Sequence, residues 1–174
     1  YVSADEGRRQ IFVRWIDGGA TARVTQLERA PSNLSWSPDG RLIAYTAFVP
    51  SEGQPLATLP KAPKGAEWAA PVKVIEHTIY RADGAGYLEP GFTHLFVVAA
   101  DGGAPRQVTR GEFNVLGAPA WASDGASLIV AANRDADVDF APLESELYRV
   151  TLADGAMTRL TTRVGPDNHP AMSP

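Results

Sequence analysis

The hexapeptide Ser35-Trp36-Ser37-Pro38-Asp39-Gly40 returns 85 residues later as Ala120-Trp121-Ala122-Ser123-Asp124-Gly125. The likeness extends well beyond it, because segments 11–47, 95–132 and 147–174 align along their length. In each segment the Asp of an Asp-Gly pair precedes a Thr (Thr25, Thr109, Thr161) by 8, 8 and 7 residues. That Thr in turn precedes Trp36, Trp121 or Met172 by 11, 12 and 11 residues. Such a repeat is a strong constraint on the fold, since every copy must form the same unit and bury its apolar face against the next.

Each copy reads as strands. Apolar residues alternate or run in groups of four to six, β-branched residues are frequent, and no window holds a 3.6-residue period long enough for a helix. The predicted unit is a first strand, an Asp-Gly turn, a second strand ending in Val-Thr or Leu-Thr, a loop, a third strand ending in Trp, another turn and a fourth strand such as 42–46. In the turn after Trp36, Pro38 presets φ at the second position, Asp39 tolerates the third, and Gly40 accepts the left-handed conformation that follows. The turn fixes the hairpin register and so the direction of Trp36. A ring of that size packed on a neighbouring sheet contributes roughly 2 to 3 kcal/mol. Trp121, with Asp124 and Gly125 in its turn, and Met172 take the equivalent places.

Four-stranded units of about 40 residues with one such wedge each are β-propeller blades. The predicted fold is therefore all-β, a partial propeller of about three blades. The expected ranges are a blade at 10–47, a second at 95–133, and a third at 146–174 lacking its last strand. Segment 1–9 is expected as the edge of a preceding blade. Segment 48–94, with its Pro- and Gly-rich first half, a strand over 72–81 and a Gly-rich loop, is expected as an insertion rather than a degenerate blade.

Composition narrows the function classes. The 16 Lys and Arg against 20 Asp and Glu give a net charge of −4, which leaves no basic footprint for nucleic acid. The absence of Cys removes disulfides, thiolate metal sites and a Cys nucleophile. No apolar run approaches the roughly 18 residues of a membrane span. The start inside a strand pattern and the stop at Pro174, where the other copies continue into Asp-Gly, are expected of a segment of a longer protein, so the lack of a leader is uninformative.

The stretches SWSPDGRLIAYTA, AWASDG, HLFVVAADGGAPRQVT and YRADGAGYLEPGFTHLFVV resemble the N-terminal propeller of the prolyl oligopeptidase family of serine peptidases. The branch most similar contains the bacterial acylaminoacyl peptidases and dipeptidyl aminopeptidases. The Trp-Ser-Pro-Asp-Gly repeat is shared with the periplasmic propeller of the Tol system, and YRADGAGY is the more discriminating stretch. Two departures are the missing Pro after Trp121-Ala122 and Met172 in place of Trp. The resemblance implies a seven- or eight-bladed propeller that caps an α/β-hydrolase domain later in the same chain and admits short peptides, with no cofactor. A Ser-Asp-His triad would lie downstream of Pro174. No Gly-x-Ser-x-Gly elbow is present here, and Gly125-Ala126-Ser127-Leu128-Ile129 fails at its last position. This segment is thus expected to be non-catalytic. The alternative is a non-enzymatic protein-binding propeller like the Tol-system protein.

Arg81, Asp83, Tyr87 and Glu89 are the candidate substrate-channel or domain-interface residues. Arg81 suits a carboxylate, Tyr87 an apolar wall, and Glu89 a substrate amine. Turn chemistry by itself accounts for Asp83-Gly84. His77, His94 and His169 have no partner at metal-ligand spacing, and Asp135, Asp137 and Asp139 alternate without the Gly and Glu of a calcium loop, so structural roles are expected of both sets. An open arc of blades leaves uncovered faces and strand edges, from which self-association is expected.

Overall fold

The computed structural model describes residues 1–51, 57, 60–69 and 73–173. All regular structure among them is antiparallel β-strand. The first sheet holds β1 (Val2–Asp5), β2 (Arg8–Arg14) and β3 (Thr21–Arg23) in chain order. The second opens with β4 (Ser32–Trp36) and β5 (Leu42–Pro50). After a small ribbon of β6 (Arg81–Ala82) and β7 (Gly86–Tyr87), β8 (Gly91–Ala99) and β9 (Arg106–Gln107) complete it. The third holds β10 (Val115–Trp121), β11 (Ser127–Ala132), β12 (Glu146–Thr151) and β13 (Met157–Arg159).

These sheets cut the repeat elsewhere than at the expected ranges. Segment 10–47 spans β2 and β3 of one sheet and β4 and β5 of the next, and 95–133 straddles the second and third sheets in the same way. β12 and β13, placed by the sequence in the segment 146–174, pair with β11. Segment 1–9 is likewise not a separate blade edge, because β1 pairs with β2 from Val2↔Ile11 to Asp5↔Arg8. A periodic sequence fixes the length of a repeat and leaves its starting point free. Here the chain crosses between sheets at 24–31 and 108–114, after each Val-Thr.

β5 and β8 pair along their whole length, from Leu42↔Ala99 to Pro50↔Gly91. The β6–β7 ribbon lies outside this sheet, and the pairing of β5 with β8 takes in residues 48–50 and 91–94, which the expected insertion 48–94 includes; we refer to the connection between them, 51–90, as the insertion. Of the strand expected over 72–81, residues 73–80 are not strand, which begins only at Arg81; Val72 lies outside the described residues.

The sheets stack face to face, as the period-2 alternation of strands requires. Ile43 and Tyr45 on β5, with Phe96 and Val98 on β8, pack with Ile11 and Val24 of the first sheet region. Their neighbours Ala44, Leu95 and Val97 point the other way and pack with Leu128, Val130, Tyr148 and Val150 of the third sheet. Tyr45 is wholly buried and its ring stacks on Phe96 at 5.5 Å.

The Val-Thr landmarks have a shared physical role. The backbone N–H of Ile11, Leu95 and Leu147 donates to the hydroxyl of Thr25, Thr109 and Thr161 respectively, each at 2.9 Å. Each Thr stands fifteen residues after a polar side chain that its hydroxyl meets: it donates to Gln10 at 3.0 Å and to Glu146, and lies 3.2 Å from Nδ1 of His94. One clip thus recurs in all three sheets with three different partners. Thr161 and the Arg159 guanidinium hold the Glu146 carboxyl below its ordinary value.

Trp36, Trp121 and Met172 do not share one environment. Trp121 is 7% exposed, and its indole Nε1–H donates to the Ser35 carbonyl of β4 at 3.1 Å. Trp36 pairs with Ile43 as Trp121 pairs with Leu128, so both rings face the preceding sheet. Yet Trp36 is 51% exposed, correcting the expectation of a core wedge. The reason is topological: the first sheet has no described strand inside β1 to do for Trp36 what β4 does for Trp121. Met172 is 44% exposed in a segment without strand pairing, so it is not a wedge here either.

Candidate functional site

Antiparallel order sorts the connections onto two ends of the stack. One end carries only short turns, at 15–20, 37–41, 100–105, 122–126 and 152–156, each containing an Asp-Gly pair. In the second of these, Gly40 N–H donates to Ser37 O at 2.9 Å and Gly40 adopts φ 70°, the left-handed region that suits Gly. Asp39 accepts from the Ser37 hydroxyl and from the Arg41 N–H, which lower its carboxyl below the ordinary value. Asp124 accepts the Ala126 N–H at 2.8 Å in the equivalent turn. The other end carries the crossings 24–31 and 108–114, the insertion 51–90 and the long connection 133–145. That loop-bearing end is the candidate functional face.

The insertion is anchored there to both neighbouring sheets. Arg29, in the first crossing, makes a bidentate pair with Glu89 at 2.9 and 2.5 Å, and its guanidinium lies 5.7 Å over Phe48. Both side chains are nearly half exposed, so the pair contributes on the order of 0 to 1 kcal/mol and serves mainly to set geometry. At the other side Asp139 accepts from the Thr78 N–H at 3.2 Å, the Thr78 hydroxyl donates to the Asp139 carbonyl at 2.8 Å, and His77 Nδ1 lies 3.2 Å from the same carboxylate. Between these anchors Tyr80 and Tyr87 pack at 6.0 Å, and the Lys73 ammonium sits 3.8 Å over the Tyr87 ring.

The four candidate residues therefore fall into different situations. Glu89 is neutralised by Arg29 and is not a free carboxylate for an amine. Tyr87 is 55% exposed but braced by Tyr80 and Lys73. Arg81 and Asp83 are exposed on the β6–β7 ribbon, and their side chains meet no hydrogen-bond or ion-pair partner among the described residues. Asp135 lies 3.6 Å from Arg159, and no group of three or more His, Asp or Glu among the described residues is placed to hold a metal. Beside the insertion root a cavity of about 330 Å³ opens between β4 and β10, lined by Ser32, Asn33, Thr46, Phe48, Thr93 and Leu116. Bulges in both strands shape it, with Asn33 at φ 54° donating from its amide to Thr46. Sequence reasoning missed Arg29, Thr78 and the anchoring role of Asp139. No local signal marks them, because each contact joins residues some sixty positions apart.

Residues 77–174 match the family model described as the dipeptidyl peptidase IV (DPP IV) N-terminal region. The chain belongs to that family. An uncharacterized peptidase of Bacillus subtilis (strain 168), YuxL, is 28% identical over 134 residues, which are 76% of this chain and 20% of the relative. The chain thus spans about a fifth of the length of that relative. Among solved structures, the Pyrococcus horikoshii acylaminoacyl peptidase superposes with a TM-score of 0.59 at 14% identity, over 92% of this chain and 23% of that one. TolB from Acinetobacter baumannii superposes with a TM-score of 0.55 at 16% identity, over 99% of this chain and 31% of its own. At such identities the likeness is one of fold, and the fold is a partial β-propeller. The resemblance read from the Trp-Ser-Pro-Asp-Gly repeats and the YRADGAGY stretch holds: this is the N-terminal propeller region of prolyl oligopeptidase-family proteins.

Proposed function

We propose that this propeller region serves a serine peptidase as its non-catalytic cap, with the loop-bearing end docking an α/β-hydrolase domain of the same protein and restricting the active site to short peptides. The observation that carries the reading is the sorting of connections. Every long loop and the doubly anchored insertion lie on one end, and a surface meant to meet a second domain needs that concentration of adaptable segments. The family match and the peptidase relative support it. The alternative, a protein-binding propeller like the Tol-system protein, is supported by likeness of fold alone.

In this reading Arg81, which has no ion-pair partner among the described residues, is available to a carboxylate of the docked domain or of a peptide C-terminus, and Tyr87 is the apolar wall beside it. The test is steady-state hydrolysis of short and long peptides by a protein carrying these residues together with its hydrolase domain. Arg81→Ala is expected to raise KM for short peptides or to relax exclusion of long ones, with a folded propeller by circular dichroism. Unchanged kinetics with both substrate lengths, and unchanged domain docking, would overturn the role of Arg81 and of this face.

A further inference from the structure

The three Thr clips invite comparison because their geometry is shared and their partners differ. In each, the Thr oxygen accepts a backbone N–H, and in the first and third the single hydroxyl proton is given to the polar side chain. Gln10 offers an amide oxygen that also accepts the Leu27 N–H at 2.8 Å, and Glu146 offers a carboxylate oxygen backed by Arg159 at 2.5 Å. Neither acceptor changes state near neutral pH. In the second sheet the partner is the ring nitrogen Nδ1 of His94, 3.2 Å from the Thr109 hydroxyl: with the ring proton on Nε2 it accepts the Thr109 proton, and in the cation it can only donate.

The surroundings favour that neutral form. His94 is 4% exposed and meets the edge of Phe113 at 5.6 Å. The charged groups on the elements around it are Arg110 and Glu112 on the crossing 108–114 and Arg134 on the connection after β11. Arg134 covers Phe113 at 4.9 Å and Tyr148 at 5.3 Å. Glu112 is exposed, and no carboxylate among the described residues compensates a charge on the ring. Burial, with a smaller contribution from Arg110, pushes the His94 pKa down from 6.5 against a backbone hydrogen bond to Gly111 that favours the cation. The clip also reaches the insertion: the crossing that starts at Thr109 ends in Asn114, whose side-chain oxygen accepts the Thr93 N–H at 2.8 Å, beside the insertion root at Gly91.

We propose that His94 is an acid-sensitive latch of the loop-bearing face: proton uptake turns Nδ1 from acceptor to donor towards Thr109 and leaves a buried, uncompensated charge, so the cation favours release of the crossing 108–114 and loosening of the insertion root. The latch is a property of the propeller itself and stands whether or not the face meets a hydrolase domain. Its sign follows from linkage. A His whose pKa is lower in the closed form keeps the clip above pH 6.5, and the clip weakens as pH falls from 6.5 toward that lower value. Within this window the opening equilibrium rises by up to about tenfold per pH unit.

The test is amide hydrogen exchange of this 174-residue chain between pH 7.5 and 5, corrected for intrinsic rates, in wild type and His94→Gln. Gln supplies the acceptor that Gln10 supplies in the first sheet. In the wild type, opening of 108–114 and of Thr93 is expected to increase several-fold below pH 6.5, while the Gln10 clip at Leu27 stays flat; in His94→Gln the increase disappears. Parallel pH profiles in the two proteins, or a flat profile in wild type, would overturn the latch. Nitrogen-15 imidazole shifts of wild-type His94 give a reading that needs no variant: a ring neutral through pH 6.5 with the proton on Nε2 agrees, and one charged at that pH disagrees.

Discussion

Tyr45→Phe should make this protein more stable. Tyr45 is wholly buried between the first and second sheets, its ring stacked on Phe96, and no described residue offers its hydroxyl a hydrogen-bond partner. A buried hydroxyl left unpaired costs about 1 to 3 kcal/mol. Phe retains the ring, the stacking and nearly all the volume; the vacated space of roughly 10 Å³ returns only about 0.2 kcal/mol at the usual cavity coefficient. The net expectation is a gain of about 1 to 2 kcal/mol, read in urea denaturation as a higher midpoint with an unchanged slope. A second reading comes from alkaline pH. Burial pushes the Tyr45 pKa from 10.0 up to about 12. A group whose pKa is raised on folding contributes stability that is complete below its unfolded value and lost as pH rises through the folded one. Wild type should therefore lose up to about 3 kcal/mol between pH 10 and 12 that Tyr45→Phe does not lose. A destabilised Tyr45→Phe at pH 7 would show that the hydroxyl is paired, and equal alkaline losses in the two proteins would show that it is hydrated; either refutes the reasoning.

The other expectations concern the stacking of the sheets. Trp121→Phe removes the bond to Ser35 and part of a buried ring, and should cost about 1 to 2 kcal/mol in the same assay, whereas half-exposed Trp36→Phe should stay within about 0.5 kcal/mol. Gly155 has φ 73° and a Cβ there would lie 2.3 Å from the Val108 carbonyl oxygen, so Gly155→Ala should cost about 2 kcal/mol or more; Gly125→Ala, at φ 64° in open space, should cost about 1 kcal/mol. The outer face of the first sheet presents Tyr1, stacked on Phe12 and 57% exposed, and its turn presents Ile16 at 95% exposure, so the isolated chain is expected to self-associate through that side. A monomeric mass at tens of micromolar in sedimentation equilibrium would refute this.

Much of this architecture is written in local chemistry. Apolar runs along 42–46 and 95–98 dictate strands, and the Asp-Gly turns dictate hairpins, so the repeat and the propeller are legible from residues alone, whereas the extension of the pairing to Pro50 and Gly91 is not. The phase of the repeat is not, because a periodic string has no privileged starting point and only hydrogen bonding assigns β3 and β4 to different sheets. Burial of Trp36 is not legible either: its sequence surroundings match those of Trp121, and what differs is a strand across the interface. At the candidate face, Arg81 and Tyr87 stand out through a Gly-rich loop, while the role of Glu89 depends on Arg29, sixty residues away. The Thr clips lay half in view, with Thr25, Thr109 and Thr161 serving as alignment marks and their partners Gln10, His94 and Glu146 too dissimilar to be recognised as equivalents.

The division into a loop-bearing end and a tight-turn end can be tested most directly by hydrogen exchange on a protein containing these residues, with and without its hydrolase domain. Protection on docking is predicted at 24–31, 73–90, 108–114 and 133–145, with 15–20, 37–41, 100–105, 122–126 and 152–156 unchanged. Protection confined to the Asp-Gly turns, or none at either end, would contradict the assignment of the loop-bearing end as the working face.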